Sequence, residues 1–385
     1  MSRGGGGSSS YDGEIAAGIA NNWESYVPGS VWFYQPNKIA PPIFAAAYLA
    51  SGILHAWQTQ HYKSRKITIL IPFGALLMVA GLAMREVGAF YIDSLGYLIA
   101  SIVLLYSGPP IYSGAAYFIL ARTLYYIPWL SPLHPGRILT MFIGIDFLIE
   151  IFVANGASKS ANTSASPAEH LAGQILVKIA LILQACTFVV YFVVLAIWHR
   201  RVKRANLLTK NLRNVVWTMY ASAALITIRC IYRIIELFQG WAGELNTNEA
   251  YFYVFEVLLM LSNSVMLNIM HPGRLLPQDS KIYLSTDGVT ELKGPGWRDP
   301  RKWYWQLMDP FDFAGCCRKE EKYDFWNHPE ENAGAETETA RADVETGEAK
   351  GEGVIAAAGN TRVASSEVET KKRPIWLGAL YRGRK

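Results

Sequence analysis

Residues 229–245 read R-C-I-Y-R-I-I-E-L-F-Q-G-W-A-G-E-L. After a short polar gap, residues 249–256 read E-A-Y-F-Y-V-F-E, then an apolar run leads to His271-Pro272-Gly273. Arg229, Arg233 and Glu236 are four and three residues apart, so a helix carries them on one face of an otherwise apolar segment. Charges there need partners, and the composition says in what medium. The 385-residue chain is 51% hydrophobic and 17% charged, and its apolar residues gather in long runs instead of at amphipathic spacing. This is a membrane composition. A span needs about 20 mostly apolar residues. Seven stretches qualify, at roughly 41–58, 67–86, 95–121, 137–156, 171–198, 214–238 and 250–270. The expected fold is all-α: a polytopic bundle of seven transmembrane helices over 41–275, between an exoplasmic segment 1–40 and a cytoplasmic, largely disordered tail 276–385.

The expected orientation follows from Lys and Arg in the short loops. Lys63, Arg65 and Lys66 follow the first span, and Arg200, Arg201, Lys203, Arg204, Lys210 and Arg213 follow the fifth. The links after the second and fourth spans hold Arg85 and Lys159, and the link after the sixth holds no Lys or Arg. The N-terminus is therefore expected outside and the C-terminus inside. Asn162-Thr163-Ser164 is a glycosylation sequon on the expected outer side.

The ends of the chain read differently. Residues 1–10 are a Gly/Ser-rich start without the regions of a signal peptide, so the first span is expected to serve as the insertion signal. Cys186 and Cys230 fall in spans and Cys316-Cys317 in the tail, which leaves no outer disulfide staple. Trp297, Trp303, Tyr304, Trp305, Phe311 and Phe313 precede Cys316-Cys317, Arg318 and Lys319. That patch reads either as a palmitoylated membrane-surface contact at Cys316 and Cys317 or as unmodified cysteines. Residues 329–370, rich in Glu, Ala, Gly and Thr, have the composition of a disordered segment.

Depth assignment brings the intramembrane polar groups toward the exoplasmic half. The second span ends at Arg85 and Glu86; the fourth carries Asp146 and Glu150 on one face; the fifth carries Lys178 and Gln184. The sixth holds Arg229, Arg233 and Glu236 in its outer half, and the seventh carries the stripe Glu249, Tyr253, Glu256, Asn263. Glu86, Asp146, Glu150, Lys178, Arg229, Arg233, Glu236 and Glu256 would together cost roughly 20 kcal/mol if central, unpaired and facing lipid. They are expected to face inward. Two readings stay open: an ion-pair lattice that fixes helix packing, or a lattice that also lines a wet cavity for a polar headgroup. The candidate binding residues are Glu86, Asp146, Glu150, Lys178, Gln184, Arg229, Arg233, Glu236, Tyr253 and Glu256. Their three bases against five acids favour a cationic or zwitterionic guest.

Other features are local or exclude function classes. Gly108-Pro109-Pro110 is expected to kink the third span, with Ser107, Tyr112, Ser113 and Gly114 re-satisfying the freed backbone. His55, His61, His134, His199 and His271 fall near cytoplasmic span ends and are expected to be interfacial. No zinc-hydrolase spacing and no P-loop are present, and the seventh span has no lysine for a retinal Schiff base. No enzyme activity, cofactor, metal or nucleic-acid partner is expected; the expected partners are membrane lipids and an amphiphilic small molecule, with oligomeric state open.

The chain resembles the fungal lipid-translocating exporters, the RTA-like proteins named for resistance to aminocholesterol. The resemblance is carried by Tyr34-Gln35-Pro36-Asn37, Glu86-Val87-Gly88, P-P-I-Y-S-G-A-A-Y-F-I-L-A-R at 109–122, F-I-G-I-D at 142–146 and Leu183-Gln184. It continues in R-C-I-Y-R-I-I-E at 229–236, E-A-Y-F-Y-V-F-E and the closing H-P-G. It covers about 30–275. The chain departs from the pattern at Val153-Ala154-Asn155-Gly156-Ala157, where a Gln and paired glycines are expected, at Glu256 in place of Asp, and at Ala89 in place of Tyr. The resemblance implies a seven-helix protein of the fungal plasma membrane or endomembranes that exports or flips lipids such as sphingoid long-chain bases and confers tolerance of toxic amphiphiles. The rival reading is a heptahelical lipid sensor. Against the common receptor type, Ala121-Arg122-Thr123 stands in place of D/E-R-Y, and the seventh span has no N-P-x-x-Y.

Overall fold

A computed structural model describes residues 30–32, 34–133, 135–161, 166–240, 243–294 and 326. Seven long helices run through the described residues: α1 (Ala40–His61), α2 (Leu70–Phe90), α3 (Leu95–Tyr126), α4 (Pro135–Ala161), α5 (Pro167–Arg204), α6 (Lys210–Gln239) and α7. The last is composite, with a π-helical turn at Tyr253–Leu258 between α-helical pieces Glu249–Phe252 and Leu259–Ile269. The N-terminal low-complexity run, His134, Asn162 and the tail features around Cys316 and Cys317 lie outside the described residues.

Local chemistry sets the helix ends. Asn37 Oδ1 accepts from the N–H groups of Ile39 and Ala40 at 2.7 and 3.0 Å, just ahead of α1. Ser166 and Glu169 form a capping box with Pro167 in the first turn of α5. The Thr209 hydroxyl caps α6. Gly240, at φ 77°, ends that helix in a conformation that carries no penalty without a Cβ.

Neighbouring helices pack in chain order, α7 returns to touch both α1 and α6, and α3 also meets α6, so the helices close into a ring. Small residues permit the close approaches. A Cβ on Gly81 would lie 2.6 Å from Leu105 Cγ and 2.9 Å from its backbone nitrogen, and one on Gly156 would lie 2.7 Å from the Gly173 carbonyl oxygen. The outer surface is apolar, with Ile53, Leu76, Val103, Phe147, Val189 and Trp217 exposed, while Arg85, Arg122, Glu256 and Asn263 are buried. Apolar outside and ionic inside is the arrangement of a multi-pass membrane protein.

Among the described residues, five helices are long and apolar enough to cross a membrane: Leu70–Phe90, Leu95–Tyr126, Arg137–Lys159, Pro167–Arg204 and Glu249–Leu275. α1, diluted by Pro41, Pro42, His55, Gln58 and Gln60, and α6 are not among them. Five of the seven expected spans therefore meet that measure.

Three expectations are corrected. The fold is not purely helical: Ile282–Leu284 (β1) and Glu291–Lys293 (β2) pair antiparallel, Tyr283 opposite Leu292. The turn between them has Gly288 at φ 73°, and Asp287 accepts from Val289 and Thr290 N–H. Packing therefore continues past residue 275, because Leu276 and Leu284 join the main core and Tyr283 packs on Tyr125. His55 and His271 are fully buried instead of interfacial, with ring centroids 6.0 Å apart and His55 Nε2 2.9 Å from the Ser264 carbonyl oxygen. Finally, α3 stays helical through Pro109-Pro110, but the freed backbone is not re-satisfied as expected. The Ser107 and Ser113 hydroxyls donate to Val103 and Pro109 carbonyls, not to those of Leu105 and Tyr106 that the prolines leave without a helical donor.

Candidate functional site: an ion lattice and a free carboxylate pair

The spacing of Arg229, Arg233 and Glu236 turns all three inward from α6, toward the π-helical turn of α7. Such turns occur often at functional sites, and this one carries Glu256, which is fully buried. One Glu256 oxygen accepts from Arg229 Nε and Nη2 at 2.9 and 2.7 Å; the other accepts from Arg233 Nε at 2.8 Å. Arg233 Nη1 donates to Glu236 and, at 2.6 Å, to the Tyr106 hydroxyl of α3, over whose ring its guanidinium lies at 3.8 Å. Two guanidiniums and two carboxylates thus neutralise one another, with the short, charge-assisted hydrogen bonds that make such pairs strong.

A second ion pair stands at the α7 start. Arg85 Nη2 donates to Glu249 at 2.8 Å and to the Tyr34 hydroxyl at 2.6 Å, and Arg85 Nε to Tyr253 at 3.3 Å. The other Glu249 oxygen accepts the Asn37 N–H at 2.8 Å, which ties the N-terminal segment to α7.

Asp146 and Glu150 are different. They share a face of α4, partly buried, and among the described residues no Lys or Arg reaches ion-pair distance of either. Arg229 acts on Glu150 electrostatically but is already paired with Glu256. Asp146 faces Tyr117 and Cys230; its carboxylate and the Tyr117 hydroxyl are within mutual reach, but the buried Oδ1 and hydroxyl form no hydrogen bond of good geometry.

A family model described as RTA1 like protein matches residues 71–279. The chain belongs to that family. It is 37% identical over 292 residues to "Lipid-translocating exporter-like protein RTA1" of Leptosphaeria maculans, an alignment covering 70% of this chain and 56% of that protein. It is 34% identical over 284 residues to a protein of the same name from Ajellomyces capsulatus, covering 69% and 88%. A 54-residue stretch is 46% identical to "Sphingoid long-chain base transporter RSB1" of Saccharomyces cerevisiae strain YJM789, covering 14% of each chain. The chain spans about half the length of the Leptosphaeria relative. No solved structure matches it.

In this RTA1-like protein the sequence-predicted residues separate. Arg229, Arg233, Glu236 and Glu256 form the lattice, Tyr253 joins Arg85, and Asp146 and Glu150 stand beside the lattice. Gln184 is buried on α5. Two residues leave the group. Lys178 lies with its ammonium 4.9 Å from the ring centroid of Phe238, which is itself exposed, and Glu86 is only half-buried, on the side of Lys38. Their places are taken by Arg85 and Glu249, so this group keeps three bases against five acids. The signal for Arg85 was its adjacency to Glu86; successive helix residues point about 100° apart, so only one of the two could face in.

Proposed function

We propose that this RTA1-like protein is a lipid-translocating exporter for single-chain amphiphiles with an amine headgroup, of which sphingoid long-chain bases are the type. In this reading seven helices span the membrane, the N-terminus is outside and the C-terminus inside. The acyl chain stays in lipid while the headgroup passes through the polar interior, and the protein thereby contributes to tolerance of toxic amphiphiles at the plasma membrane. The names of the relatives support lipid transport; the Lys and Arg in the α1–α2 and α5–α6 loops support the orientation.

One observation carries the headgroup assignment. Every buried arginine beside the lattice already has a carboxylate, and among the acids left without one, Asp146 and Glu150 share a face of α4. Two nearby carboxylates disfavour joint ionisation unless a proton or cation stands between them. An amine supplies that cation, and the Asp146 carboxylate and the Tyr117 hydroxyl, which face each other without a well-formed hydrogen bond, are placed to accept from it. The lattice then serves as scaffold, holding α6 and α7 against α3 while α4 presents the pair. Reversible amine binding at a carboxylate pair needs no covalent chemistry, and movement runs downhill or is linked to the proton that otherwise neutralises the pair.

The test is Glu150→Gln, which keeps size and much of the hydrogen bonding. Cells producing this variant should export a sphingoid base less well than wild type and export a neutral lipid equally well. Equal effects on both lipids, with folded yield preserved, would make the carboxylates structural and end the amine reading.

A further inference from the structure

Arg85 sits in a box of rings. Its guanidinium carbon lies 4.3 Å from the ring centroid of Phe252, 4.8 Å from Trp32, 5.5 Å from Tyr253 and 6.0 Å from Tyr34. Rings within about 6 Å of a cation attract it through their quadrupoles, the more so when the site is desolvated, and such boxes are the usual receptors for quaternary ammonium groups. Arg85 is 3% exposed, so this box is dry. Glu249 supplies the counter-charge.

Two walls come from α7 and two from the N-terminal segment, which the Val31 N–H to Ile92 carbonyl bond of 3.0 Å and the Asn37 N–H to Glu249 bond lay across the bundle end. Gly88 makes room: a Cβ there would stand 3.3 Å from the Trp32 ring. Trp32 is 5% exposed, yet its indole N–H is buried without an acceptor among the described residues. A buried donor left over in an otherwise complete box points to a guest that brings an oxygen next to its positive charge.

We propose that this box is a second cation site, in which an alkylammonium headgroup takes the place of the Arg85 guanidinium. Arg85 is the tethered cation that keeps the box filled and the segment closed. A guest ammonium uses the same four rings and Glu249, while its oxygen substituent takes the Trp32 N–H. Its role as a landing site on the headgroup path rests on the transport reading above; its binding does not.

The probe is an alkyltrimethylammonium, titrated into the full chain in nanodiscs of neutral lipid. Arg85→Gln removes the resident cation and should bind the probe about tenfold more tightly than wild type, while the alcohol of the same chain length binds both alike. Adding Trp32→Ala should cancel the gain. Unchanged affinity, or an equal gain for the alcohol, would overturn the proposal. If Arg85→Gln does not fold, a photoreactive alkyltrimethylammonium should crosslink wild-type protein within 30–38 and 249–253 and be displaced by excess unlabelled probe. Crosslinks that avoid both segments would overturn it equally. A probe whose affinity responds to Glu150→Gln and not to Arg85→Gln would sink the box and leave the exporter reading standing.

Discussion

Glu256→Gln tests the lattice where it is most concentrated. The side chain is fully buried and accepts three hydrogen bonds from two arginines. The amide keeps one acceptor oxygen and turns an NH2 toward a guanidinium donor. Arg229 then has no ionised partner within ion-pair distance among the described residues, and Arg233 keeps only Glu236. Stranding one partner of a buried pair costs about 3–5 kcal/mol. For a bundle of this size each kcal/mol shifts the midpoint by about 2–4 °C, so the loss should be roughly 10 °C. Cys230, fully buried next to Arg229, provides the readout: with Cys186, Cys316 and Cys317 replaced, a thiol-reactive dye in detergent reports opening of the core. Glu236→Gln should cost less, because Glu256 still holds Arg233. Replacing Arg229 and Glu256 together with leucine should recover part of the loss, since no lone charge remains. A Glu256→Gln midpoint within experimental error of wild type would refute the reasoning.

Further outcomes follow from the packing and the loops. Arg122 is fully buried and donates to the carbonyl oxygens of Ile282 and Asp279 at 3.0 Å and of Pro277 at 3.4 Å. Arg122→Gln should therefore raise amide exchange across Ile282–Lys293 while α1 and α2 keep theirs; unchanged exchange in the hairpin would mean the arginine does not hold it. Gly81→Val puts side-chain atoms where Leu105 already stands and should cost about 1–3 kcal/mol by overpacking, read as a lower melting midpoint, whereas an unshifted midpoint would show that α2 and α3 separate freely. Cysteine probes in intact cells should be labelled at Ser160 and protected at Asn206. The reverse pattern would invert the assignment of sides.

Spacing alone reads the lattice because residues three and four apart on a helix share a face whatever the helix packs against; Arg229, Arg233 and Glu236 are such a set. Glu256 follows from the stripe on α7. Rotation of a helix about its axis is not in the spacing. Whether α2 turns Arg85 or Glu86 inward is decided by Gly81 and Gly88, which let α3 and Trp32 close on one side, and those contacts are tertiary. Lys178 fails for a similar reason: its long stem reaches the Phe238 ring instead of a carboxylate. The burial of His55 and His271 depends on α7 closing back on α1, a pairing 209 residues apart in the Ser264–His55 contact. The hairpin was legible in principle, since Asp287-Gly288 between short apolar runs is a turn signal, but the drop in hydrophobicity after residue 275 masks it.

The most direct measurement reconstitutes the full chain in liposomes and follows a headgroup-labelled sphingoid base crossing from one leaflet to the other. Wild-type protein should accelerate the crossing, and Glu150→Gln should slow it while a neutral lipid of the same chain length crosses as before. Saturable binding of the base without any acceleration of its crossing would contradict the exporter reading and mark the protein as a sensor.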